Sequence, residues 1–211
     1  MNRLKVYEYN QIKSLIKKLL NVYRTNDMTS HKSHKEYILN DIKNVFEANN
    51  MDSSEFINEL DDIKISKKKT ELLLEKLKAD VEDFELPSKK EVDKLFKKVK
   101  KLNVPDLDQV DTKTTIFLAW NDLSANRKYF VFKNRDNEYE GMFGELSVNK
   151  IKGFCKICNQ ESQVSLFLNK SKTSGIGTYT KKGDYICHDS DMCNRNLEDI
   201  NHLYDFIEHV K

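Results

Sequence analysis

Apolar residues recur at helical spacing through the first 83 residues, and the pattern shifts toward strand-like runs after Asp111. Ile12, Leu15, Ile16, Leu19, Leu20 and Tyr23 repeat every three or four positions, with Lys13, Lys17 and Lys18 between them. That spacing predicts an amphipathic helix. Thr25 to Lys32 is polar and interrupts the pattern. Ser33 and Glu36 read as a capping box, each able to satisfy the other's free amide. They open a second helix whose apolar face is Tyr37, Ile38, Ile42, Val45 and Phe46. Asp52 to Glu55 opens a third with Phe56, Leu60 and Ile63, and Ser66 caps a fourth with Leu73, Leu74, Leu77 and Val81. Four short helices with short loops predict an antiparallel bundle whose apolar residues form its core.

Pro87 ends this run, because the residue before a proline is pushed out of helix. The expected organisation is a helical bundle over residues 1–83 and a second domain over 84–211. Ser88 to Glu91 is another capping box. It predicts a basic helix over 88–101 with Val92, Leu95, Phe96 and Val99 inward and Lys89, Lys90, Lys94, Lys97, Lys98, Lys100 and Lys101 outward. Strands are expected at Thr114 to Trp120, Lys128 to Phe132 and Tyr139 to Glu145, with turn residues at Asn134 to Asn137. A further strand is expected at Val164 to Leu168, followed by a Gly/Ser-containing loop from Ser171 to Gly177 and a strand leading into Cys187. Asn196 can cap a final helix carrying Leu197, Ile200, Leu203, Tyr204, Ile207 and Val210. The fold class is α+β, an antiparallel helical bundle followed by an α+β domain.

Cysteine spacing turns that order of elements into chemistry. The chain has four cysteines, Cys155, Cys158, Cys187 and Cys193. Two close pairs about 28 residues apart match the spacing of a tetrahedral zinc site. Four sulfurs leave no position for water, so such a site is structural. A knuckle, a β-hairpin and a helix carrying the last ligand at its start is the order of a treble-clef-like four-cysteine zinc finger. Disulfides need an oxidising compartment, and Met1 to Val6 begins without an apolar segment of signal-peptide length. A reducing, cytoplasmic setting is therefore expected. His188, beside Cys187, is the rival for the place of Cys193, but adjacent residues rarely reach one metal, which favours the all-cysteine set.

Charge narrows the picture further. About a third of the residues are charged, yet the formal net charge is +2, too small for bulk attraction to polyanions. No apolar run is of membrane-spanning length. All six glycines follow position 140, which fits a helical first half and a turn-rich second half. His34-Lys35-Glu36 resembles the H-x-E of zinc deaminases, but four cysteines leave no open coordination position. Gly175-Ile176-Gly177 is not a nucleotide fingerprint. Asp122, Asp184 and Asp189 have no partner carboxylate that the sequence places nearby, so no enzyme is expected.

Aromatic and basic residues interleave near the cysteines. Phe154 precedes the first, and Lys182 and Tyr185 precede the third. Tyr204 and Phe206 lie two apart on the final helix and cannot share one face. If Tyr204 joins the core, Phe206 points outward and completes an exposed contact cluster. The alternative is that Phe154 and Phe206 fill the small zinc core, and the residues alone support both.

Lys152 to Asn159, Lys181 to Cys187, Trp120-Asn121 with Ser124 to Tyr129, and Phe96 to Lys101 closely resemble the FusB-type fusidic acid resistance proteins. The similarity runs the length of the chain and is looser in the N-terminal helices. It implies a helical bundle followed by a zinc domain that binds translation elongation factor G at its C-terminal domains. It also implies release of the factor from drug-stalled ribosomes, without modification of the drug. No direct drug binding is expected, since the sequence argues for no apolar pocket with convergent polar groups. Contacts centred on the zinc domain would match Phe154, Lys182, Tyr185 and Phe206, with Zn2+ on Cys155, Cys158, Cys187 and Cys193. A monomeric, non-enzymatic protein without membrane association is expected. The alternative is a zinc-finger RNA- or ribosome-binding module using the basic helix 88–101.

Overall fold

Helical spacing in the first part of the chain produces four helices, α1 (Val6–Tyr23), α2 (Met28–Ala48), α3 (Ser54–Leu60) and α4 (Lys67–Lys78). The computed structural model describes residues 2–25, 28–172 and 179–211. Of the loop expected over Ser171 to Gly177, residues 173–177 lie outside the described residues. The described chain forms two units, Met1–Glu82 and Asp83–Lys211.

In the first unit, Ile12, Leu15, Ile16 and Leu19 of α1 and Ile38, Leu39, Ile42, Val45 and Phe46 of α2 are buried. Helix α3 adds Leu60 and packs Phe56 at a tilt against Phe46, with 5.2 Å between ring centroids. The Ser66 hydroxyl accepts from the Lys69 amide at 3.2 Å, capping α4 as expected. The two ends of the unit are tied by main-chain bonds, from Leu4 N to Asp80 O and from Glu82 N to Leu4 O.

Three expectations are corrected here. Helix α2 begins at Met28, so Ser33 and Glu36 lie within it and form no capping box. No proline or glycine interrupts residues 28–36, and polar side chains can continue a helix on its solvent side. Tyr37 is 67% exposed, and Leu39 takes its place in the core. Helix α3 stops at Leu60, and Ile63 is 55% exposed. The chain turns there, where Asp62 Oδ1 accepts from the Lys64 amide.

The second unit opens with α5 (Lys89–Leu95). Its capping box is present: Glu91 N donates to Ser88 Oγ and Ser88 N to Glu91 Oε2. The helix ends seven residues later rather than continuing to Lys101. Phe96 leaves helical geometry and turns edge-on to Tyr129 and Trp120. Lys97, Lys98, Lys100 and Lys101 therefore follow the helix instead of extending its basic face, and Lys101 adopts a left-handed φ of 59°.

A six-stranded antiparallel sheet follows, β1 (Leu118–Asp122), β2 (Arg127–Lys133), β3 (Tyr139–Leu146), β4 (Ile151–Phe154), β5 (Glu161–Lys172) and β6 (Tyr179–Cys187). Its order is β1-β2-β3-β5-β4, and β6 pairs with β5. The unbroken apolar run on β2 fits burial on both faces, and residues 128 through 132 are all buried. Leu118, Tyr129 and Val131 face α5 and residues 84–110. Phe117, Phe130, Phe132 and Met142 face the cysteines and the last helix. Helices α6 (Ser190–Asn196) and α7 (Ile200–Val210) complete the unit. The helix expected to be capped by Asn196 begins instead at Ile200 and is capped by Asp199, and Asn196 is the last residue of α6.

Strands β5 and β6 approach so closely at Gly183 that a Cβ there would lie 1.8 Å from the Phe167 carbonyl oxygen. A Cβ on Gly153 would meet only Val164 Cγ2, at 3.1 Å. Gly183→Ala is expected to lower the stability of this unit by about 1–3 kcal/mol or more through overpacking. Gly153→Ala should cost clearly less. Urea unfolding of the two variants checks the order.

Candidate metal centre and contact surface

The four cysteines arrive from three places. Cys155 and Cys158 form the turn between β4 and β5, Cys187 ends β6, and Cys193 lies in α6. The turn is closed by Asn159 N donating to Cys155 O and Cys155 N to Gln160 O, with Asn159 at a φ of 53°. The side chain of Asp189 caps α6 by accepting from the Asp191 and Met192 amides, which fixes the approach of Cys193.

All four sulfurs lie within 4.8 Å of one another and are buried. Cys155 and Cys193 sulfurs are 3.7 Å apart, as are those of Cys158 and Cys187. A disulfide needs about 2.05 Å. A tetrahedron with metal–sulfur bonds of about 2.3 Å has edges of about 3.8 Å, so the donor set fits one structural Zn2+. The amides of Ile157, Cys158 and Cys187 point at Cys155 Sγ at 3.3, 3.5 and 3.2 Å. Hydrogen bonds from Cys158, Cys187 and Cys193 hold the Cys155 thiol well below its ordinary range, favouring thiolate. His188 stands outside the sulfur cluster. Its Nδ1 meets Ser165 Oγ at 2.9 Å, and its carbonyl accepts from Asn121 and Lys128.

The sequence-derived contact residues separate. Phe154 is 72% exposed and Tyr185 41% exposed. Both flank the knuckle, since Lys156 N donates to Tyr185 O at 2.9 Å. Lys182 is exposed too. It lies three residues from Tyr185 on an unbroken strand register, so alternation places it on the other face of β6. Phe206 is a correction. It is fully buried against Phe130 and Phe167, while Tyr204 is partly exposed beneath Arg135. The inward face of α7 is Leu203, Phe206, Ile207 and Val210. Leu197, which tilts the apparent apolar face toward Tyr204, does not belong to this helix.

Sequence reasoning missed Asn194 and Lys128. Asn194 accepts from the Ile116 and Phe117 amides and donates to Phe117 O, pinning the segment before β1 to the residue after a metal ligand. Lys128 is 1% exposed on the face that carries Phe130 and Phe132. A polar residue in phase with two core phenylalanines was the available signal.

Two family models match the chain. One, described as "Elongation factor G-binding protein, N-terminal", matches residues 3–85. The other, "FBP C-terminal treble-clef zinc-finger", matches residues 92–204. Among solved structures, "Structure of the fusidic acid resistance protein FusC" is 55% identical, covering 100% of this chain and 98% of that one with a TM-score of 0.94. Among curated protein sequences, no match was found.

Structural zinc sites couple metal binding to folding. Metal removal, or Cys187→Ser, is expected to unfold Asp83–Lys211 while the helices of Met1–Glu82 persist. Metal analysis with circular dichroism tests this, and an unchanged second unit without metal contradicts it. Phe206→Ala should destabilise the same unit by about 3–5 kcal/mol, the cost of emptying a buried aromatic site, as read by thermal unfolding.

Proposed function

Because the chain belongs to the family of elongation factor G-binding proteins with an FBP treble-clef zinc finger, we propose that it confers fusidic acid resistance by target protection. It binds elongation factor G, at the factor's C-terminal domains, and promotes release of the factor from drug-stalled ribosomes. The observation that carries this reading is the full-length likeness to a fusidic acid resistance protein.

The geometry supports a binding role. Exposed Phe154 and Tyr185 stand on a backbone that the cysteine centre holds in place. A rigid, preformed surface loses little freedom on association, and aromatic side chains are enriched among binding anchors. Lys182 adds positive charge across β6 from Tyr185, so a partner touching both must reach around that strand. Release follows from linkage: a binder that favours the factor's off-ribosome conformation shifts the population toward it.

The protein is non-enzymatic in this reading, because a closed four-thiolate site offers no coordination position to a substrate or water. It acts as a cytoplasmic monomer and does not bind the drug. Among the described residues no helix is long and apolar enough to cross a membrane.

Titration against purified elongation factor G, with and without ribonuclease, is the direct test. Binding should survive nuclease treatment. Tyr185→Ala and Phe154→Ala should each weaken it by about 30-fold, equivalent to about 2 kcal/mol per anchor, with zinc content retained. Lys182→Ala should act mainly on the association rate and lose its effect at high salt. Drug altered by the protein, or a direct affinity for the drug, would overturn target protection. Binding that requires RNA would shift attention to the lysines at 89–101.

A further inference from the structure

Lys128 is a buried cation. Its side chain is enclosed on β2 between Asn121 and the segment that follows Cys187. The ammonium donates to Asn121 Oδ1 at 3.0 Å and to the His188 carbonyl at 3.0 Å. Asn121 Nδ2 donates to the same carbonyl at 3.1 Å, closing a three-membered polar network. The Phe130 ring adds a weak contact at 5.9 Å. Both hydrogen-bond acceptors are neutral, and among the described residues no carboxylate pairs with this lysine.

Two neutral acceptors satisfy the ammonium's geometry but not its charge, and an uncompensated buried charge is costly. Negative charge reaches it from the cysteine centre and from Asp189. His188, which takes the hydrogen bond, directly follows the ligand Cys187. Four thiolates and one Zn2+ leave two negative charges in a buried setting, which the amides of Ile157, Cys158 and Cys187 on Cys155 Sγ offset in part through neutral dipoles. Burial pushes the Lys128 ammonium down to about 8, and the Cys193, Cys187 and Cys155 thiolates and Asp189 pull in the opposite direction.

We infer that Lys128 is the counter-cation of the four-thiolate centre, positioned by Asn121 and the His188 carbonyl to offset its excess negative charge. It thereby lowers the nucleophilicity of the zinc-bound sulfurs and slows metal loss to electrophiles. The same contact explains a lysine at a core position of β2. One side chain links the β1–β2 pair to the backbone that presents Cys187.

The test uses the full-length zinc-loaded protein and N-ethylmaleimide as the electrophile, with zinc release followed by a chromophoric chelator. Lys128→Met keeps the length of the side chain and removes its charge. Asn121→Asp keeps an acceptor beside the ammonium but cancels its charge locally. Each is expected to speed zinc release by about tenfold. Val131→Ala, on the opposite face of β2, supplies a variant destabilised without a change of charge and should stay near the parent rate. A parent-like rate in either charge variant overturns the inference. So does a Val131→Ala rate equal to that of Lys128→Met, since general loosening would then account for both. If Lys128→Met does not fold, Asn121→Asp decides alone.

Discussion

Convergence of four sulfurs on one point constrains most of the second unit. The β5–β6 hairpin separates the knuckle in sequence from the end of β6 and the start of α6, and a shared metal makes their relative positions a single variable. Other bonds extend that constraint outward. Asn194, next to the ligand Cys193, holds the backbone entering β1. The His188 carbonyl, next to the ligand Cys187, receives Lys128 from β2. The sheet and the centre are joined by polar groups that sit one residue from metal ligands. Disturbance at the metal would therefore reach β1 and β2 without passing through side-chain packing alone.

Around this centre the hydrophobic groups divide by strand face. Phe117, Phe130, Phe167 and Phe206 pack with the cysteines, and Tyr129, Trp120, Phe143 and Phe96 form a second aromatic group on the other side of the sheet. In the second group Tyr129 stacks between Trp120 and Phe143, and Phe96 stands edge-on to all three. Offset and edge-on arrangements are the favoured ones for aromatic rings. Their demand for Phe96 ends α5 early and spreads the following lysines over turns. A basic patch remains, but without the regular spacing of one helix face.

With Phe206 committed to the core, the aromatic surface near the metal is Phe154 and Tyr185. Their exposure costs little stability while the backbone beneath is fixed by the cysteines and by the Lys156–Tyr185 bond. This separation of rigid support from exposed ring is what a preorganised contact surface requires.

Local chemistry was legible in the sequence wherever a short stretch decides the outcome by itself. The C-x2-C spacing, the Ser88–Glu91 capping box, the Ser66 cap and the Asn134–Asn137 turn depend on neighbours within a few positions, and each is present. Periodicity likewise located most helices and most strands. Tertiary packing decided what periodicity leaves degenerate. At about 100° per residue, Tyr204 and Phe206 flank the apolar seam of α7 at similar angles, so helical phase alone cannot choose between them. The choice falls to Phe206 because Phe130 and Phe167 leave an aromatic-sized space on that side. The end of α5 was also set by packing rather than by a cap. Lys128 shows the same limit in charge: a lysine in a strand reads as solvent-facing until the fold brings Asn121 and the His188 carbonyl to it.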